Sequence, residues 1–154
     1  MEAKGDDVAS LTDILLADDM KRKVVDDACR LIEDEVRAKR GMSGLAIRAG
    51  FKTFKKFKPG ALQMAVHGLL DEFAEAADPY YQDHVNSGKT GSVAQTMVPR
   101  KHEMADALLV ITDRRGQRFD NRVIKKAYFK LRPMAQRATE DAIPGVCRLI
   151  DRYV

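Results

Sequence analysis

Residues 61–77, ALQMAVHGLLDEFAEAA, decide the fold: Leu62, Val66, Leu69 and Phe73 recur at i, i+4, i+7 and i+11. At 3.6 residues per turn these side chains share one face, which predicts a helix with a core-facing stripe. The same period runs outward in both directions. Upstream, Val25, Cys29, Ile32 and Val36, with Val24, Ala28 and Leu31 beside them, predict a helix over about 20–39. Lys39 and Arg40 complement its C-terminal dipole and Gly41 supplies the stop. Ser10 followed by Asp13 reads as a capping box for a short helix carrying Leu11, Ile14 and Leu15. Ser43 is expected to cap a helix whose Ile47, Phe51 and Phe54 align at i, i+4 and i+7, with Phe57 extending the apolar side and Pro59–Gly60 ending it.

Downstream, Asp78 and Pro79 read as the N-cap and first turn of a brief helix bearing Tyr80 and Tyr81. NSGKTGS, residues 86–92, is rich in turn formers and predicts a mobile loop. Pro99 suits the first turn of a helix with Met104, Leu108 and Ile111 inward, ending at Gly116. Asp120 or Asn121 caps another, with Ile124, Ala127, Tyr128 and Leu131 inward, broken at Pro133. Segments 134–142 and 144–153 follow, the latter with Val146, Ile150 and Tyr153 inward. Strand-like alternation is almost absent. The expected fold is all-α, a compact multi-helix bundle of about eight to ten short helices forming a single domain over 1–154, with 1–9 as a mobile tail.

At 154 residues, 45% apolar and 32% charged, the composition fits one soluble globular domain and argues against disorder. A chain of this size buries about 68–70% of its unfolded surface, so no disulfide or metal staple is required. No apolar run approaches the roughly 20 residues of a membrane span, and MEAKGDDVAS lacks the apolar region of a secretory signal. Cys29 and Cys147 are far apart, each within a helical stripe, which points to reduced thiols and a cytoplasmic location.

The net charge of +4 hides a strong alternation. Residues 1–35 carry a net −6, residues 36–70 eight bases and no acid, residues 71–106 a net −4, and residues 107–154 a net +6. Within the second block Arg48, Lys52 and Lys55 sit at i, i+4 and i+7, on one helical face, with Lys56 and Lys58 next to it. Arg122, Lys126 and Lys130 repeat the i+4 spacing, just after Arg114, Arg115 and Arg118. Were the two helices neighbours, their bases would form one face for an anionic partner, either a nucleic acid backbone or an anionic membrane surface. The competing reading pairs the lysines with the acidic helix 18–35. No helix-turn-helix, zinc-finger or aromatic RNA-binding signature accompanies them, which argues against base reading. The acidic and basic helices could also meet across subunits of a homo-oligomer.

Enzymatic chemistry finds little support. GKT at Gly88–Thr90 lacks the P-loop glycine at position 83, which is Asp83, and lacks a preceding strand. His102–Glu103 begins like a metalloprotease helix, but position 106 is Asp106, leaving at most an adventitious metal site. His67 reads as packed or half-exposed, and His84 similarly. Asp18–Asp19, Asp26–Asp27 and Glu33–Asp34–Glu35 are adjacent in sequence and splay around a helix, which suits a solvated face. Glu72 and Glu75 lack the histidines of a di-iron bundle. The expectation is a non-enzymatic binding or scaffolding protein with no cofactor, its contact the helix 43–58; an interior pocket for a small ligand is a further alternative.

The segments LTDILLADDMKRKVVDDACRLIEDEV, GMSGLAIRAGFKTFKKFKPG, LLDEFAEAADPYY and ADALLVITDRRGQRFDNRVIKKAYFKLRP resemble a family of small, mainly actinobacterial proteins of unknown function. The best markers are the run at Ser43–Gly50, the KPG at Lys58–Gly60 and the run at Lys125–Pro133. The resemblance extends from about Leu11 to Tyr153. It implies a bacterial helical domain and assigns no catalytic residue.

Overall fold

The computed structural model describes residues 8–154, and among these the chain forms helices and no strand. They are α1 (Leu11–Leu15), α2 (Lys21–Ala38), α3 (Gly41–Phe57), α4 (Ala61–Asn86), α5 (Ala94–Met97), α6 (Lys101–Gln117) and α7 (Arg122–Asp151), with a 3-10 turn at Val98–Arg100. The mobile tail expected over 1–9 lies, for residues 1–7, outside the described residues, as does the Phe57 side chain.

The class is as expected, but eight to ten short helices are not found: α4 and α7 run for 26 and 30 residues. The prolines explain the difference. Pro79, Pro133 and Pro144 were expected to start or break helices and instead lie inside them. An interior proline forfeits one backbone hydrogen bond and costs about 3 kcal/mol. At Pro79 the cost is offset by the burial of Tyr80 and Tyr81, each contributing about 1.5–3 kcal/mol. Asp78, read as an N-cap for its own helix, accepts instead from the Leu11 backbone N–H at 2.7 Å. It therefore satisfies an orphan donor at the start of α1, where the Ser10–Asp13 capping box also forms. Asn121 caps α7 as expected, accepting from the Val123 and Ile124 N–H groups.

The core lies around α4 and the C-terminal half of α7. Leu11, Met97, Met104, Ile143, Cys147 and Ile150 are almost wholly buried, with Val24, Val25 and Cys29 of α2 closing one side. Besides Ala61, Tyr80 and His84, the buried positions on α4 are Leu62, Val66, Leu70, Ala74, Ala77 and Tyr81. Leu62 and Val66 are buried as expected; beyond them the stripe turns by a residue, and Leu69 and Phe73 are only half-buried. Because α4 touches α1, α2, α5 and α6, its buried face is set by several neighbours at once. Among the described residues no helix is long and apolar enough to cross a membrane.

The α2–α3 connection positions the basic helix. Lys39 is extended and Gly41 adopts φ +73°, so α3 turns back almost immediately. Ser43, expected to cap α3, is already inside it; the N-cap is Arg40, without a side-chain bond. A Cβ on Gly44 would stand 2.7 Å from the Lys39 carbonyl carbon, and one on Gly50 3.4 Å from Leu131 Cδ1. Glycine at position 44 lets α3 approach the end of α2, and at Gly50 the helix stands in ordinary contact range of α7.

Candidate anionic-partner interface

Helix α3 lies on the surface: apart from Gly44 none of its described residues is buried. The expected inward row is only partly realised. Phe51 packs against the core, Ile47 lines an open cleft with Met134, and Phe54 is 42% exposed. Helix α3 packs against α2, α4 and α7, and these contacts cover its apolar row only in part.

The expected strip of Arg48, Lys52 and Lys55 is divided by the fold. Lys55 Nζ pairs with Glu33 Oε1 at 2.8 Å and sits 5.5 Å from the centre of the Phe51 ring. This ammonium holds the Glu33 carboxyl below its ordinary range. Arg48 is half-buried and donates to the Lys39 carbonyl, an orphan acceptor at the end of α2. These two bases face the acidic helix. Lys39 is used internally as well, pairing with Asp141 at 2.8 Å.

Lys52, Lys56 and Lys58 are exposed and make no ion pair among the described residues. The same holds for Arg122, Lys126 and Lys130 at the start of α7. Arg115, by contrast, binds Glu72 at 2.8 Å and the Gly68 carbonyl, with Arg114 3.8 Å from the same carboxylate. The two basic helices are neighbours, meeting where Gly50 faces Leu131 and along the cleft lined by Ser43, Ile47, Met134 and Ala138. Residues 36–70 and 121–139 contain no acid, so the exposed bases on both helices stand among neutral or basic residues of their own segments.

A feature missed in the sequence is the apolar part of the α3 outer face. Met42, Leu45, Ala49, Lys52 and Lys56 follow at i, i+3, i+7, i+10 and i+14 and are all exposed, Met42 by 85% and Leu45 by 56%. On α7, Val123, 77% exposed, precedes Lys126 and Lys130 at i, i+3 and i+7. The spacing was visible, but the phenylalanines drew the apolar assignment to the other side of α3.

The remaining candidates are absorbed structurally. His84 is buried, its ring nitrogens 2.9 Å from Thr96 Oγ1 and 3.2 Å from the Gly91 carbonyl, so it ties the 87–93 loop to α4. Asp151 holds that loop's other end through Ser92 and the Val93 N–H. His67 is exposed, not packed, on an open cleft of about 770 Å³ that it shares with Lys21, Arg22 and Asp26. His102 meets Glu140, Glu103 meets Arg100, and Asp106 lies 3.9 Å from Arg132. No set of three metal-ligating side chains converges among the described residues. Burial raises both thiols, Cys147 to about 11. A polar network the sequence did not reveal joins α6 to α7: Arg132 Nε bridges both Asp113 oxygens at 2.8 and 3.0 Å, and Tyr128 donates to Asp113 at 2.8 Å.

No curated protein and no solved structure matches the chain. The model of a family of unknown function, DUF6918, matches residues 11–154, nearly the span of the expected resemblance, and the chain belongs to that family.

Proposed function

We propose that this is a non-enzymatic, cytoplasmic binding protein that engages a phosphate-bearing anionic partner through Lys52 and Lys56 of α3, Lys58 just past its end, and Arg122, Lys126 and Lys130 of α7. The observation that carries the reading is six exposed bases, without ion pairs among the described residues, on or beside two neighbouring helices in segments that contain no acid. Compensated bases elsewhere, such as Lys55 with Glu33, already have their counter-charge. Uncompensated ones keep a field that an anionic surface can neutralise. Arg48 and Lys55, part of the expected strip, are assigned to the fold instead. The non-enzymatic reading is supported by the use made of reactive side chains: the thiols are packed and raised, and His84 serves a loop. Two thiols buried as small hydrophobes suit a reducing compartment.

The test is binding of the chain to labelled duplex DNA and to phosphatidylglycerol vesicles from about 50 to 200 mM salt. We expect binding to at least one that weakens with salt, with a slope near −0.9 per phosphate contact if it is DNA. Lys52, Lys56, Lys126 and Lys130 changed together to Gln should abolish it. Absence of binding to both at low salt, or a quadruple variant that binds like the wild type, overturns the reading.

A further inference from the structure

We infer that the partner is an anionic lipid bilayer, seated on the outer face of α3 with Met42 and Leu45 inserted among the acyl chains and Lys52 and Lys56 at the headgroups; this rests on the anionic-partner reading above. The argument starts from exposure. Large apolar side chains left in water on a helix face carry a hydration cost that only a covering partner removes. On α3 the two most exposed, Met42 and Leu45, occupy the first two turns of the same face that ends in Lys52 and Lys56. A phosphodiester backbone has contacts for the lysines and none for the methionine and leucine. A bilayer interface offers both at the right depth: acyl chains just beneath, phosphates above.

Charge complementarity favours an anionic surface. Helix α3 contains no acid, Glu33 of α2 is paired with Lys55, and Lys52 and Lys56 make no ion pair among the described residues. The start of α7 adds Val123, Lys126 and Lys130 in the same apolar-then-basic order. The surface position of α3, whose only buried described residue is Gly44, means that seating requires no core residue to move. Each base near such a surface is worth about fivefold in partitioning, and the bases act within a Debye length of about 8–10 Å.

The experiment is co-sedimentation of the full chain with vesicles of phosphatidylcholine alone or with 30% phosphatidylglycerol, beside anisotropy with labelled duplex DNA. We expect sedimentation with the anionic vesicles only. Lys52→Gln with Lys56→Gln should lower partitioning by about 25-fold. Met42→Ser with Leu45→Ser should lower it by about tenfold or more, at unchanged charge and with the helical fold retained by circular dichroism, since both side chains are exposed. Binding to DNA but to neither vesicle overturns the bilayer and leaves the phosphate reading standing. Binding to none overturns both. Anionic-vesicle binding that Met42→Ser/Leu45→Ser leaves intact overturns the insertion, reducing the contact to charge alone.

Discussion

Tyr153 donates its phenolic hydrogen to Asp27 Oδ2 at 2.6 Å, joining the C-terminus to α2 across 126 positions of sequence. Arg30 and Arg152 approach the same carboxylate at 3.2 and 3.4 Å, so Asp27 gathers three partners. Burial, and then the hydrogen bond to Asp27, push the Tyr153 hydroxyl up to about 12. The folded state therefore holds this proton after the unfolded chain has released it near pH 10. Stability from this contact is complete below about pH 10 and is lost as pH rises toward 12. Tyr153→Phe should lower stability by about 1–2 kcal/mol at pH 7 and flatten the alkaline loss, read by urea unfolding from pH 7 to 11.5.

The glycines separate packing from propensity. Alanine improves a helix interior by about 0.5–1 kcal/mol over glycine. At Gly68 the new Cβ meets nothing nearer than Arg115 Nη1 at 3.9 Å, so Gly68→Ala should stabilise by that amount. At Gly44 it meets the Lys39 backbone at 2.7 Å. Gly44→Ala should destabilise by about 1–3 kcal/mol. Opposite signs in denaturant midpoints are the expected result; a stabilising Gly44→Ala would mean that the α2–α3 turn is looser than described.

At Asp113, burial pushes the carboxyl up, and the Arg132 guanidinium and Tyr128 hydroxyl outweigh it, leaving the group below its ordinary value. A lowered carboxyl contributes stability above about pH 3.9 that disappears as pH falls through the folded value. Asp113→Ala should cost about 1.5–3 kcal/mol at pH 7 and lose less on acidification to pH 3 than the wild type. Arg132→Lys should not preserve the stability, because Nε bridges both Asp113 oxygens and a lysine has no such geometry.

Cys29 and Cys147 are buried with raised thiols, so thiolate is scarce and hard to reach. An aromatic disulfide reagent should label neither in the native protein within minutes at pH 8, and both at once in urea. Rapid native labelling of Cys147 would mean that the α5–α7 contact, where its sulfur lies 3.8 Å from Met97 Sδ, opens readily.

Helix α3, having no large buried side chain among its described residues, should also exchange its amide hydrogens earlier than α4 or the C-terminal half of α7. Hydrogen exchange followed by mass spectrometry checks this, and peptides from 41–57 protected as strongly as those from 61–86 would contradict it.

The helical class, the α1 capping box and the Asn121 cap were legible from spacing alone, because each depends on neighbours within a few residues; the inward row of Met104, Ile111 and Ile150 was legible as an apolar stripe. Helix ends at prolines were not. Whether Pro79 breaks a helix depends on what Tyr80 and Tyr81 gain by burial, and that gain comes from other helices. The candidate interface was legible in outline, as eight bases without an acid over 36–70. Which of them remain available was not: Lys55 and Arg48 carry the same charge and spacing as Lys52, yet face α2.

The sequence by itself therefore determined the period, the charge blocks and the local caps of this protein, since those follow from backbone geometry and side-chain type. Only the tertiary structure decided the rotation of each helix about its axis. That rotation turned α4 onto Leu70 instead of Leu69, drew Lys55 to Glu33, and left Met42 and Leu45 in water beside Lys52 and Lys56. A helix face has no identity until a second helix covers part of it, and the free energies of the competing coverings come from residues far apart in the chain.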